Sequence, residues 1–333
     1  MPFSSQKFAQ FFGSLAICLA ALSQGSPVAA PKPPKSVTIV IATWPGFAPA
    51  FVAKEKGFFD PVSVDIKIVD DFSARRAAFS SGQADFTIYT VDSLAFDAAS
   101  GIRATTVLAL DQSRGADGII ARNPIQNASD LKGKKVAFTQ ASPSEFLLAR
   151  YLKQADVPLS TIIPITVDDP TRAAEAFSGK QVDAAVTWEP NLSQLSKQSD
   201  VRILFTSRDV PNEIIDILVA TPAATHDMPE VVQAVVNGWL KAIDYYRSDE
   251  KSARAIMAKG LGLSEDELAG MMPGLALYGR EDNRRLFSPT QSGGTPLTEL
   301  FDVAAKLWRD EHLVEVQPNS KSYFDPRFVL NSQ

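Results

Sequence analysis

Carboxylates, indoles and hydroxyls, rather than thiols or imidazoles, are the side chains of this sequence placed for chemistry. Trp44 and Phe47 follow an apolar, β-branched stretch, and Trp188 follows a second one at 184–187. An aromatic wall stacks on planar groups, covers apolar carbon or attracts cations. The alternative for both tryptophans is packing between strand and helix. Asp92, Asp117, Glu145, Glu189 and Asp216 all fall near loops or chain crossings. Carboxylates there repel a free anion and suit an amine, an amidine or an aminopyrimidine. Each also has a structural alternative: Asp92 and Glu189 as helix caps, Asp117 and Asp216 as partners of hinge backbone. The segment Ser142-Pro143-Ser144-Glu145 is a capping box with proline at the first helical position. Its serines and free N–H groups suit an anion or a polar group. Thr90, just before Asp92, adds a hydroxyl. Ser73 is expected to cap a helix carrying Arg75 and Arg76, where an arginine meets either an anion or solvent.

Catalytic signatures are missing from the sequence. His226 and His312 are the only histidines, and neither has a metal-ligand neighbour at a usual spacing. No Gly-x-Ser-x-Gly, phosphate-loop or Gly-x-Gly-x-x-Gly pattern occurs. No cofactor is expected. A net charge of −5 argues against a nucleic-acid partner.

The elements that must hold these residues repeat. Ala78-Phe79-Ser80-Ser81-Gly82-Gln83-Ala84-Asp85 and Ala176-Phe177-Ser178-Gly179-Lys180-Gln181-Val182-Asp183 match at an offset of 98 (177 − 79 = 98). Each reads as a helix end, a turn, an Asp and a short buried strand. Strands are expected at 37–42, 64–69, 86–89, 105–110, 135–138, 162–167, 184–187, 203–205 and 214–220, alternating with helices. That alternation predicts an α/β protein of two lobes, each a mostly parallel sheet flanked by helices. The expected division is 36–112 for the first part of lobe 1, 113–212 for lobe 2, and 213–333 for a return strand and C-terminal helices. Helices are expected after Asp227-Met228-Pro229-Glu230, after Ser264-Glu265-Asp266-Glu267 and from Thr295-Pro296. Ligands of open parallel sheets sit beyond the C-terminal strand ends. That rule selects the loops 43–47, 90–93, 139–144 and 187–190. Two chain crossings, near 111–116 and 211–216, would serve as a hinge.

Residues 1–30 read as a signal peptide, with Lys7 the only charge and an apolar run over 11–22. That run is short for a membrane span of about 20 residues, although an uncleaved anchor is the alternative. Cys18, the only cysteine, lies inside it, so the mature chain would have no disulfide. Lipidation of Cys18 is a further alternative.

Several motifs in order resemble a known family. They are Trp44-Pro45-Gly46-Phe47, Ala53-Lys54-Glu55-Lys56-Gly57-Phe58-Phe59, Gly82-Gln83-Ala84-Asp85, Gly115-Ala116-Asp117-Gly118-Ile119, Asp130-Leu131-Lys132-Gly133-Lys134-Lys135-Val136-Ala137 and Val186-Thr187-Trp188-Glu189-Pro190. The chain resembles the periplasmic solute-binding proteins of ABC importers for nitrate, sulfonates, taurine, bicarbonate and thiamine-precursor pyrimidines, the NMT1/THI5-like group. The resemblance implies a type II periplasmic-binding-protein fold of two lobes (a Venus flytrap), export to the periplasm, a small-molecule ligand and an ABC permease as partner. A monomer is expected. Trp44, Phe47, Thr90, Asp92, Asp117, Ser142, Ser144, Glu145, Trp188, Glu189 and Asp216 are the candidate ligand contacts. Their acidity favours an amine-bearing or heterocyclic organic ligand over bare nitrate. A ligand-presenting sensor and an enzyme like the thiamine-pyrimidine synthases are the alternatives. The synthases are intracellular and use a cysteine- and histidine-rich region that this sequence lacks.

Overall fold

The computed structural model describes residues 35–332. The expected signal peptide, its cleavage site and Cys18 lie outside the described residues. Eleven strands form among the described residues: β1 Ser36–Ile41, β2 Ser63–Ile68, β3 Phe86–Thr90, β4 Thr105–Ser113, β5 Asp117–Arg122, β6 Lys135–Thr139, β7 Ile163–Val167, β8 Ala184–Trp188, β9 Val201–Thr206, β10 Ile215–Ala220 and β11 Leu275–Leu277. A six-stranded sheet runs β11-β4-β10-β3-β1-β2 and a five-stranded sheet runs β7-β6-β8-β5-β9.

Both sheets are mixed. The pairs β1–β2, β1–β3, β6–β7 and β6–β8 are parallel, as right-handed strand–helix–strand units require. The strands at and beside the chain crossings are antiparallel: β10 against β3 and β4, β5 against β8 and β9, and β11 against β4. The expectation of mostly parallel sheets fails there because a returning strand must run opposite to its neighbours. β4 also extends to Ser113, into the expected crossing at 111–116, and β5 opens just past it at Asp117.

The helices are α1 Pro49–Glu55, α2 Phe72–Ser80, α3 Val91–Ala99, α4 Pro143–Gln154, α5 Pro170–Ser178, α6 Asn191–Leu195, α7 Pro222–Asp227, α8 Pro229–Ser248, α9 Glu250–Leu261, α10 Glu265–Met271, α11 Arg280–Phe287, α12 Pro296–Asp310 and α13 Arg327–Leu330. Caps correct three sequence expectations. Asp71, not Ser73, caps α2 by accepting from the Ala74 N–H at 2.8 Å. Thr90, not Asp92, is the N-cap of α3. Met228 precedes α8 without a side-chain cap, because Asp227 is still part of α7.

The repeat is carried through to the structure residue for residue. Helix α2 with strand β3, and helix α5 with strand β8, have bounds that coincide at the offset of 98. In the first copy the Asp85 carboxylate accepts the Thr38 N–H at 2.8 Å, while its own N–H donates to the Thr38 carbonyl. Asp183 does the same to Lys135, again at 2.8 Å. Each Asp thus clamps the start of its strand to the parallel neighbour, and each buried phenylalanine, Phe79 or Phe177, anchors the helix above it.

The chain leaves the first sheet between Ser113 and Asp117 and returns between Thr206 and Ile215. The two passages are tied together: the Ser113 and Ser207 hydroxyls lie 2.7 Å apart, and the Gly115 N–H donates to Ser207 Oγ at 2.6 Å. Helix α12 packs on α3, where Trp308 Nε1 donates to the Asp92 carbonyl at 2.9 Å. Phe146 of α4 meets the Trp308 ring edge-on at 5.8 Å, so one apolar core runs across both sheets.

Candidate functional site

Strands β3 and β8 end on Thr90 and Trp188, positions equivalent in the repeat, and both ends border one small cleft. From the first sheet's side come Trp44, Phe47, Phe72, Arg75, Tyr89, Thr90 and Asp216. Asp117 of β5, Pro143 of α4 and Trp188 come from the other. Of the residues expected from sequence, Trp44, Phe47, Thr90, Asp117, Trp188 and Asp216 meet here. Asp92, Ser142, Ser144, Glu145 and Glu189 are not on its lining.

Those others are engaged elsewhere. Ser142 caps α4, accepting from the Ser144 N–H at 3.1 Å and donating to the Thr139 carbonyl at 2.7 Å. Glu145 accepts the N–H of Ala141, at 2.6 Å, rather than that of Ser142. The capping box is therefore displaced by one residue, and Ala141 takes a left-handed φ of 54° to allow it. Glu145 also faces a separate open groove that carries Lys153 and His312. The Glu189 carboxylate accepts the Ser193 N–H and hydroxyl at 3.1 and 2.6 Å, tying the start of α6. Ser144 and Asp92 are buried, and neither the Ser144 hydroxyl nor the Asp92 carboxylate makes a well-formed hydrogen bond.

Two residues were not among the candidate contacts, Arg75 on the cleft lining and Asp111 beneath it. Arg75 is only 6% exposed, so it does not meet solvent. Its Nη1 donates to the Val69 carbonyl at 2.7 Å, and its guanidinium lies 4.9 Å from the Phe72 ring centre. Burial lowers its pKa to about 10, against a pull upward from Asp70, Tyr89 and Asp216. The signal was in the sequence: Phe72, Arg75 and Phe79 share one helical face. Asp111 is the second. It lies under Trp44, whose Nε1 donates to Oδ1 at 3.1 Å. Gly46 makes that fit possible, since a Cβ there would stand 2.0 Å from Asp111 Oδ2 and 2.6 Å from the indole nitrogen.

The site is strongly acidic beneath its aromatic walls. In the register of β10, Asp216 faces Thr90 of β3 on one side and Asp111 of β4 on the other. Asp117 pairs with Trp188 across β5 and β8. Burial pushes Asp92, Asp111 and Asp117 each up to about 7, because a carboxylate loses its hydration there. Asp216 is raised as well, first by burial and then by repulsion from Asp111 and Asp117. Arg75 therefore offers a fixed cation, and Asp117 and Asp216 offer acceptors or exchangeable protons, in one small cleft.

The family described as NMT1/THI5 like matches residues 44–253, well over half of the chain. The chain belongs to the NMT1/THI5-like family. A putative aliphatic sulfonates-binding protein of Escherichia coli (strain K12) is 34% identical over 155 residues, 46% of this chain and 48% of that protein. The chain thus matches about half the length of that relative. The taurine-binding periplasmic protein of the same organism is 22% identical over 308 residues, 89% of this chain and 93% of that protein. Among solved structures, the alkanesulfonate-binding protein SsuA from Xanthomonas axonopodis pv. citri bound to MOPS has a TM-score of 0.73 at 17% identity, covering 88% of this chain and 99% of that one. The desulfurization enzyme DSZB has a TM-score of 0.64 at 14% identity, covering 89% and 98%. At these identities the solved structures establish the fold: this NMT1/THI5-like chain has the two-lobe periplasmic-binding-protein architecture. The same fold serves a binder and an enzyme, so chemistry must be argued from the cleft.

Proposed function

We propose that this NMT1/THI5-like protein is the extracytoplasmic solute-binding component of an ABC importer. Its ligand is a small organic molecule that pairs a sulfonate-like anion with an amine or donor-rich heterocycle. The observation that carries this reading is a buried arginine and two cleft carboxylates, Arg75 with Asp117 and Asp216, lining one aromatic-walled cleft. Arg75 holds the anion, and its guanidinium fork suits sulfonate oxygens. Asp117 and Asp216 hold the amine. Trp44, Phe47 and Trp188 cover the ligand's carbon, and Thr90 fixes its orientation. A ligand touching both lobes favours the closed form, which docks on the permease. The lobes divide near 112–113 and 212–213, with the crossings as hinge. The relatives' names support periplasmic localisation, and the protein works as a monomer. No helix among the described residues is long and apolar enough to cross a membrane.

A ligand that binds only the folded protein raises its melting temperature. Taurine, ethanesulfonate, nitrate, bicarbonate and an aminopyrimidine are to be compared by thermal shift and calorimetry. Taurine or the aminopyrimidine is expected to bind more tightly than ethanesulfonate, and Arg75→Met to abolish the taurine response. Tight binding of nitrate or bicarbonate with no organic-amine binding would reject the proposal. The likeness to DSZB supports one competing reading, a desulfinating or desulfonating enzyme; release of sulfite from an organic sulfinate or sulfonate would establish it.

A further inference from the structure

The Asp111 and Asp216 side chains face each other across neighbouring strands, both almost fully buried. Paired across β4 and β10, the two carboxyl groups leave the same face of adjacent strands, and two carboxylates so placed repel each other unless one of them holds a proton. The partners of Asp111 show where the charge resides. Its Oδ1 takes the N–H of Trp44, an acceptor's role, while Oδ2 is buried with no hydrogen-bond partner, and a carboxylic acid at Asp216 is the donor this position lacks. Gly46 closes over Oδ2, where a Cβ would stand only 2.0 Å away. Asp216, in contrast, lines the cleft.

We propose that Asp216 holds a proton shared with Asp111 while the cleft is free of ligand, and that an ammonium group of the ligand takes that proton's place. The exchange balances: the carboxylic acid of Asp216 gives its proton to water, its carboxylate pairs with the arriving cation, and the net charge of the site is unchanged. This rests on the ligand reading above. It adds that the cleft selects for a cation through displacement of a proton, rather than through an open negative charge.

The groups around Asp216 are consistent with this. Asp111 and, beyond it, Tyr278 lie towards β4 and β11. Tyr89 and Thr90 lie on β3, Asp92 at the start of α3, and Asp117 with Glu189 behind it on the side of β5. Arg75 on α2 is the cation whose field reaches Asp216. Arg75 and, towards Asp92, Arg76 are too few cations for these carboxyl groups, and the shortfall raises the proton affinity of the member with a carboxylate neighbour.

Two measurements on the mature protein test it, and the first needs no ligand. The protonated-carboxyl carbonyl band in the infrared is compared between the parent and Asp216→Asn at neutral pH. Asparagine keeps an N–H for Asp111 Oδ2, so the variant is expected to fold, and one component of the band is expected to vanish. Asp111→Asn is the second variant; it turns the acceptor into a donor and should remove the same component. A band unchanged in both variants overturns the proposal. The second measurement is calorimetry of taurine and ethanesulfonate in buffers of different ionisation heat. Taurine is expected to release close to one proton and to bind up to about tenfold more tightly per pH unit across the titration. Ethanesulfonate is expected to release none. Taurine binding with no proton release overturns the proposal. If no organic ligand binds, the functional reading fails, while the infrared result still decides the shared proton.

Discussion

Replacing Arg76 with alanine tests the cross-lobe packing described above. Arg76 follows the cleft arginine on α2 but is not on the cleft lining. Its Nε forms an ion pair with Asp97 Oδ2 at 2.8 Å, and its Nη2 donates to the Ala141 carbonyl at 2.6 Å, on the loop before α4. The rings of Phe72 and Phe96 lie 4.4 and 5.8 Å from the guanidinium. The Asp97 side chain is 6% exposed and that of Arg76 22% exposed. Breaking a fully buried pair by removing one partner costs about 3–5 kcal/mol. The partial exposure of Arg76 reduces that to about 2–3 kcal/mol. With an unfolding entropy of about 2.1 cal/mol/K per residue over residues 35–332, the loss corresponds to a fall of roughly 3–5 °C in Tm. Most of the penalty is the carboxylate left behind, whose pKa burial already raises. The double variant Arg76→Ala/Asp97→Asn is therefore expected to recover at least half of the loss in scanning calorimetry. A single variant within about 1 °C of the parent, or a double variant no more stable than the single one, would refute the reasoning.

Asp92→Asn is expected to stabilise the protein, and to do so more at pH 8 than at pH 5. The folded Asp92 titrates at about 7 against an ordinary 3.8, so the folded state holds an extra proton between those values. The stability from that proton is complete below about pH 4 and lost as pH rises through about 7; asparagine has no such loss. A gain in Tm independent of pH would contradict this. Replacing Trp44 and Trp188 together by alanine is expected to weaken taurine binding well over tenfold in calorimetry, since each aromatic contact contributes on the order of 1 kcal/mol. Unchanged affinity would remove the indoles from the ligand's surroundings.

What was legible in the sequence follows from how local each signal is. Alternation, glycine stops and Asp-Pro or Thr-Pro starts are local, and α1, α5, α12 and most strands lie within a residue or two of expectation. The antiparallel order of β10, β4 and β5 is not local; it depends on where a returning chain finds an open position in the sheet. For the site, Trp44 and Trp188 followed from the strand-end rule because each lies at or just past a strand's C-terminal end. Asp92 was misjudged as a cap because Thr90 and Ser93 compete for that role through a shared hydrogen-bonded turn. Arg75 was left open between an anion and solvent because arginine is mostly found in solvent, although its spacing from Phe72 and Phe79 already placed it on a buried face.

The coincident bounds of the two repeats also say where this chain can change length. From the capping Asp71 to Thr90, and from the capping Asp169 to Trp188, the span is the same (90 − 71 = 188 − 169 = 19). Within that span an Asp must reach the neighbouring strand's backbone, and the last residue must arrive at the cleft edge. One inserted residue would shift either the clamp or the cleft residue, and would turn every side chain between them to the opposite face of its strand. Insertions and deletions are therefore confined to the segments outside these spans, and within them new ligand preferences must come from exchanging side chains at constant length.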